Sequence, residues 1–372
     1  MHTQRIVHIS SSLQRGGAEQ LLLQLIKALQ PSYEQSVIYL HDGPYRAELI
    51  ALGIPHYQLT APGGYANPLL WIRMFRLLRQ QQPSIVHTSL WAASIMGRVC
   101  CRLLRIPVVA SLHTLAPHEG WLRTTFDRLT GSKEADAIAT SQTIARSMIR
   151  AQRYSPARMT IIPSGIDIRR LQEQALQPPD IPYIKEPGTF LIGSVGRLVP
   201  VKQYDLLLKA FAELQHQFPE LRLLLIGTGP EEAALRALVQ KLHVDSFVTI
   251  ITNQIATPYY QLFDCFVLPS RYEGLGLATL EACYFSIPVI VTEQLGGHEI
   301  VHHRENGLLI PAATPAAISN AIRRYIEDSQ LRMRCAQAGH ATVMEGYTAP
   351  RMLAAYRRLF EQLISTHRQH SN

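Results

Sequence analysis

Two carboxylates, Glu273 and Glu281, stand eight positions apart in the stretch RYEGLGLATLEACYF, on either side of a glycine loop that runs into a helical pattern. Carboxylates accept paired hydrogen bonds from vicinal hydroxyls, and free amides at a helix start, here those of Gly276 and Leu277, suit a phosphate or developing negative charge. Together they describe a sugar nucleotide as ligand. The bland alternative is a first-turn helix acid beside a surface glutamate. In LIGSVGRLVPVKQYDLLLKAF a strand ends at Val195, Gly196 turns, and Arg197 and Lys202 bracket a short loop before a helix. A guanidinium fork and a compact ammonium beside helix amides form an anion site suited to a diphosphate, unless both are merely solvated charges.

Two more candidates lie nearer the start of the chain. Gly16 and Gly17, in SSSLQRGGAEQLLL, fall between the first strand and the first helix, where backbone passes close to a ligand or simply turns. His113 ends the strand VVASLH, a position from which it can act as general acid or base or hydrogen-bond a substrate hydroxyl; His87, in SIVHTS, competes for that role. Neither G-x-G-x-x-G nor G-x-x-x-x-G-K-[ST] occurs, so no dinucleotide fingerprint or P-loop is expected. No D-x-D pair and no His/Asp cluster with ligand spacing is found, so no metal and no cofactor is expected. The charge on a departing diphosphate then falls to Arg197, Lys202 and helix amides.

These residues need a frame that gathers strand ends. Apolar strand-like runs alternate with helical patterns from the first residues: RIVHIS, AEQLLLQLIKAL, QSVIYL, a helix near 69 to 81, SIVHTS and VVASLH. Such strands belong to a parallel sheet covered by helices, whose ligands bind at the carboxyl ends of the strands. The segment QPPDIPYIKEPG, 177–188, breaks both periods and is expected to be a linker, after which the winding restarts with TFLIGSVGRL, LRLLLIG, VTIIT, CFVLPS and PVIVT. The expected plan is therefore α/β: a Rossmann-like domain over 1–176, a second over 189–349, a cleft between them, and a terminal helix over 350–372. That helix carries an apolar stripe at Leu353, Tyr356, Leu359, Phe360 and Leu363 and needs a surface to cover.

Composition narrows the partners. The 372 residues are 47% hydrophobic and 17% charged, with no apolar run near the roughly 18 residues of a membrane span. The opening MHTQRIVHISSSL lacks the pattern of a secretory signal, and the five cysteines form no C-x-x-C pair, so a cytosolic location is expected. A formal charge of +8 favours anionic partners, but no nucleic-acid-binding signature accompanies it, and nucleic acid is not an expected partner. Arg73, Arg76 and Arg79 interleave with apolar residues in LLWIRMFRLLRQQQ. That face either rests peripherally on an anionic membrane at its inner side or is an ordinary solvated helix surface.

Taken in order, GGAEQLLLQL, SLHT, IIPSGID, GSVGRLVPVKQYDLLLKAF, LLLIGTGPE, YEGLGLATLEACYFSIPVIVT, GGHEIV and ENGLLI resemble the family 4 retaining glycosyltransferases over nearly the whole chain. The resemblance implies a GT-B fold, with the acceptor on the first domain, the nucleotide sugar on the second, and the last helix returning to the first. It implies that Arg197 and Lys202 hold the donor diphosphate, Glu273 the sugar hydroxyls and Glu281 the ribose hydroxyls. It also implies that Gly16 and Gly17 approach the phosphate or sugar, that His113 lies near the reacting sugar, and that Gly227, Thr252 and Asn253 line the nucleoside. Two positions depart from the family pattern: Ser164 stands where asparagine is usual and Gln203 where a glycine is common after the lysine.

The reaction expected is metal-independent, hexosyl-type transfer from a nucleotide-diphosphate sugar to an acceptor hydroxyl with anomeric retention. The acceptor would be a sugar or a lipid-linked molecule in polysaccharide, lipopolysaccharide or glycolipid assembly. A nucleotide-sugar epimerase of the same architecture, or a non-catalytic subunit that binds nucleotide sugar, are the competing readings.

Overall fold

A strand that is apolar on both faces must be covered twice, and the helices between such strands do the covering. The computed structural model describes residues 4–371 except 15, 31, 65–66, 116–119, 131–134, 180–182 and 294–295. Its chain divides into two compact units, Met1–Ser164 with Ala349–Asn372, and Gly165–Thr348.

In unit 1 the order is β1 Arg5–Ser12, α1 Gly17–Leu29, β2 Glu34–His41, α2 Tyr45–Ala51, β3 His56–Gln58, α3 Pro68–Gln81, β4 Ile85–Ser89, α4 Trp91–Leu104, β5 Val108–Leu112, α5 Gly120–Leu129, β6 Asp136–Ala139, α6 Gln142–Arg150 and β7 Met159–Ile161. The seven strands form one sheet in the order β3-β2-β1-β4-β5-β6-β7 with every pairing parallel. Its helices are placed by local signals: Asn67 and Ser141 cap α3 and α6 through their side chains, and Pro68 sits at the first position of α3, where its missing N–H costs nothing.

Unit 2 runs α7 Ile168–Ala175, β8 Phe190–Val195, α8 Tyr204–Gln215, β9 Leu221–Ile226, α9 Glu232–Lys241, β10 Val248–Ile251, α10 Thr257–Tyr260, β11 Cys265–Leu268, α11 Leu277–Tyr284, β12 Val289–Thr292, α12 Gly297–Ile300, β13 Leu308–Ile310, α13 Pro315–Glu327 and α14 Ser329–Gly346. Its six strands pair in parallel in the order β10-β9-β8-β11-β12-β13. The reversal between β8 and β11 puts the ends of those two strands side by side, the place where ligands bind in open sheets of this kind. The expected α/β plan of two Rossmann-like units is the one found.

The terminal helix α15, Ala349–Ser371, belongs to unit 1, where Met352, Tyr356, Phe360 and Ile364 are buried against Ile6, Ile85, Val109 and Ile138. Of the stripe read from the sequence, Tyr356 and Phe360 form its centre, while Leu353, Leu359 and Leu363 are only partly buried at its flanks. Next to this apolar layer the sheet turns polar. Gln35 Nε2 donates to Ile26 O at 3.0 Å, which turns Gln35 Oε1 toward His8 Nε2 at 3.0 Å. His8 therefore carries its proton on Nε2, and its Nδ1 accepts from His87 Nδ1 at 3.1 Å. His87 Nε2 in turn accepts from Ser111 Oγ at 2.8 Å, and Ser111 Oγ lies 3.1 Å from the Tyr356 hydroxyl. One uninterrupted chain of hydrogen bonds thus runs from α1 across four strands, β2, β1, β4 and β5, to α15.

The boundary between the units differs from the sequence expectation of 1–176 and 177–188. Unit 1 ends at Ser164, and α7 lies in unit 2, where Leu171 is buried and Gln174 Oε1 accepts from Thr257 Oγ1 at 2.9 Å. Prolines at 178 and 179 mark where regular structure stops, which is not where the chain changes partners.

Candidate functional site

Four loops at the carboxyl edge of the unit 2 sheet interlock backbone to backbone. A Cβ on Gly227 would stand 1.8 Å from Gly196 O, and one on Gly229 would stand 2.3 Å from Leu198 O. Leu198 N–H donates to Thr228 O at 3.0 Å, so the loops after β8 and β9 are knitted together. On the other side Gly296, at φ 120°, lies over the β11 loop, where a Cβ would come 2.5 Å from Glu273 O. Such close approach admits only glycine.

Within this frame Lys202 and Glu273, 71 residues apart in sequence, form an ion pair. Glu273 Oε1 also accepts from Ser270 Oγ at 2.7 Å, and the ammonium lies beside Gly196, since a Cβ there would be 3.7 Å from Nζ. A short 3-10 turn over Pro200–Lys202 delivers the lysine, closed by Gln203 in left-handed backbone at φ 53°. Arg197 points differently: its side chain is exposed rather than gathered with Lys202 on Glu273, so the two cations expected to converge on one loop are here divided between a carboxylate and solvent.

Glu281 sits one turn inside α11, which starts at Leu277 after Gly276 in left-handed backbone at φ 77°. Its carboxylate is half-buried and accepts from the hydroxyl of Tyr260 at 2.8 Å. Burial raises its proton affinity, while the Tyr260 hydrogen bond and the nearby Arg170 guanidinium act against that shift. The two glutamates of the E-x7-E pattern therefore have unlike surroundings: Glu273 faces a cation, Glu281 an aromatic hydroxyl. Tyr260, Ser270 and Arg170 went unread in the sequence, because each reaches its partner through tertiary packing. Thr252 and Asn253 follow β10; Asn253, exposed and at φ 59°, donates its N–H to Thr228 Oγ1 at 2.9 Å, which ties this loop to Gly227.

In unit 1 Gly16 is extended, at φ −163°, and precedes the first residue of α1, Gly17. What approaches Gly16 is its own helix: a Cβ there would lie 2.5 Å from Glu19 Oε2. Glu19, in the first turn of α1, is buried and accepts from Ser12 Oγ of the β1 end at 2.9 Å, a carboxylate that the sequence reading passed over. His113 follows β5 and lines a cavity of about 260 Å³ with Ser11, His41, Trp91, Arg123 and Asp127. Burial lowers its pKa to about 4, so the ring is neutral at neutral pH and suited to hydrogen bonding rather than to service as a standing acid. His87, its competitor, is fully buried in the hydrogen-bonded chain to Tyr356 and has no surface to offer a substrate. Arg73, Arg76 and Arg79 lie on the exposed side of α3, with Leu69 and Ile72. Among the described residues no helix is long and apolar enough to cross a membrane, and no three His, Cys, Asp or Glu side chains converge as a metal set would.

Two family models match in succession, Glycosyltransferase Family 4 over residues 15–170 and Glycosyl transferases group 1 over residues 182–342. A D-inositol 3-phosphate glycosyltransferase of Pseudarthrobacter chlorophenolicus is 26% identical over 283 residues, 70% of this chain and 67% of its own. Among solved structures, HepE of Anabaena in complex with UDP has a TM-score of 0.83 at 21% identity, over 96% of this chain and 100% of its own. Sucrose-phosphate synthase of Thermosynechococcus elongatus has a TM-score of 0.81 at 21% identity, over 98% of this chain and 100% of its own.

Proposed function

Since the chain belongs to the group 1 and family 4 glycosyltransferases, we propose that it moves a hexosyl group from a nucleoside diphosphate sugar to an acceptor hydroxyl with anomeric retention and without a metal. The observation that carries this reading is the Lys202–Glu273 pair, braced by Ser270 at the junction of the β8 and β11 loops. An ammonium beside the bare backbone of Gly196 can take a phosphate oxygen, and Glu273 Oε2 can take a sugar hydroxyl. Arg197, exposed and a few residues away, supplies the second cation once a diphosphate arrives. The amides of Gly276 and Leu277 add the start of α11, and Glu281 takes the ribose hydroxyls while the Gly227, Thr252 and Asn253 loops receive the nucleoside. The acceptor is assigned to unit 1, at His113 and the Gly16-Gly17 turn.

As the anomeric bond breaks, negative charge grows on the leaving diphosphate, so cations fixed at that oxygen stabilise the transition state more than the bound donor. Lys202→Ala is expected to lower donor turnover by about a hundredfold or more, with a smaller change in donor affinity. Turnover and affinity are to be measured with a panel of nucleoside diphosphate sugars, by release of nucleoside diphosphate and by thermal shift. Unchanged turnover in both Lys202→Ala and Arg197→Ala removes the assignment.

A further inference from the structure

The unit 1 cavity has a wall whose charge the donor chemistry does not use. Arg123 stands over the ring of Trp91, 4.8 Å from its centroid, so a cation–π contact holds a guanidinium at the rim. Trp91 is the first residue of α4, a 14-residue helix whose N-cap, Leu90, offers no side-chain hydrogen bond; Ser11 Oγ takes the amide of Ala93 at 3.0 Å, which leaves that of Ala92 at the cavity. The first turn of α4, from Leu90 to Ala92, lines the cavity and presents the positive end of the helix to it. Opposite, His113 holds Nε2 withdrawn from solvent and without a hydrogen-bond partner among the described residues. His41 adds a second imidazole to the wall. Among the described lining residues the one carboxylate is Asp127, and both of its oxygens are taken, one by Arg98 and one by Arg153. Nothing acidic in the described wall is left to oppose an anion, and a buried ring nitrogen is left without a partner.

We propose that this cavity binds the anionic group of the acceptor, a phosphate or a carboxylate, through Arg123 and the first turn of α4, with the ring of His113 beside it. Calling the ligand an acceptor rests on the glycosyl-transfer reading; the anion site itself rests on the cavity wall alone. The ring of His113 reports occupancy, because an anion placed against it favours the protonated form and moves its pKa upward from about 4.

The test titrates the full-length chain with inorganic phosphate, with glucuronate and with glucose, in the presence of saturating nucleoside diphosphate so that any site near Lys202 is already filled. Binding is followed by NMR of histidine rings, with the His113 signal identified by its loss in His113→Asn. Saturable binding of phosphate or glucuronate but not glucose, with a rise of at least about one pH unit in the His113 titration, is the expected result. Arg123→Ala, at an exposed position, should weaken that binding tenfold or more with an unchanged thermal midpoint. Which of the two anions binds identifies the source of the charge. Failure of both anions to bind, binding of glucose equal to theirs, or undiminished binding in Arg123→Ala overturns the proposal. Donor turnover on the same preparations separates the two readings. Arg123-dependent anion binding in a chain that consumes no donor leaves this site standing and removes glycosyl transfer, whereas Lys202-dependent turnover without such binding does the reverse.

Discussion

Gln203 is the residue at which a departure from the family pattern acquires a physical cost. It follows Lys202 directly and closes the 3-10 turn at φ 53°, ψ 38°, a conformation that costs a side-chain-bearing residue on the order of 1–2 kcal/mol and glycine almost nothing. The glycine common at this position in the family therefore answers a backbone requirement that Gln203 meets under strain. Gln203→Gly is expected to raise stability by about 1 kcal/mol, read as a shift in the denaturant midpoint with the slope unchanged. A fall in stability would mean that the Gln203 side chain contributes more than its backbone costs. Lys202 and Glu273 illustrate the same scale in the site itself: each was legible as a charged residue at a strand end, but their pairing, and the exposure of Arg197, required the loops to be placed.

Among the elements, β1, β4 and β5 carry side chains that no periodicity would single out as a set. His8 and His87 pair directly across β1 and β4, Ser111 stands two residues along β5 from the partner of His87, and Tyr356 of α15 completes their hydrogen bonding. Burial lowers the pKa of His8 to about 4 and that of His87 well below its ordinary value, so both rings are neutral in the folded chain. A histidine with a depressed folded pKa binds more protons when unfolded, so its contribution is present above the unfolded value near 6.5 and is lost as pH falls toward the folded value. For His8 that loss is on the order of 3 kcal/mol between pH 6.5 and 4. His8→Gln, which keeps a hydrogen-bonding side chain without a titrating ring, should flatten the acid limb of the stability curve by that order. An acid limb of the same depth in variant and parent would show that the histidine chain does not set it.

The whole molecule is built from a discontinuous unit and a continuous one. Unit 1 takes its last element from residues 349–372, and the core face of β1, β4 and β5 closes only when α15 lies on it. Met352, Tyr356, Phe360 and Ile364 are all buried there; at about 1.5–3 kcal/mol per large apolar side chain, their loss would remove as much as an ordinary domain's entire stability. A chain truncated before Ala349 should thus lose amide protection across residues 5–162 while unit 2 keeps its own, as measured by hydrogen exchange and limited proteolysis. Full protection in unit 1 after truncation would contradict the role given to α15.

Much of this protein was decided by the chain alone. Alternation of buried strands with amphipathic helices is a local pattern written in residue type, so the parallel α/β plan, a helix near 69 to 81, a helix start close to Leu277 and the terminal helix could all be read directly. Residues that do chemistry at strand ends were legible for the same reason, since a strand's end and a helix's beginning are marked by glycine, charge and capping. Tertiary structure alone decided which of those residues meet: Ser270 and Tyr260 on the two glutamates, Glu19 against Gly16, Arg123 over Trp91 and the histidine chain beneath α15. It also moved the boundary between the units from the proline-rich segment back to Ser164, because α7 packs with the strands that follow it. Hydrogen bonds and close backbone approaches act over a few ångströms between segments tens to hundreds of residues apart, and no spacing along the chain records that distance.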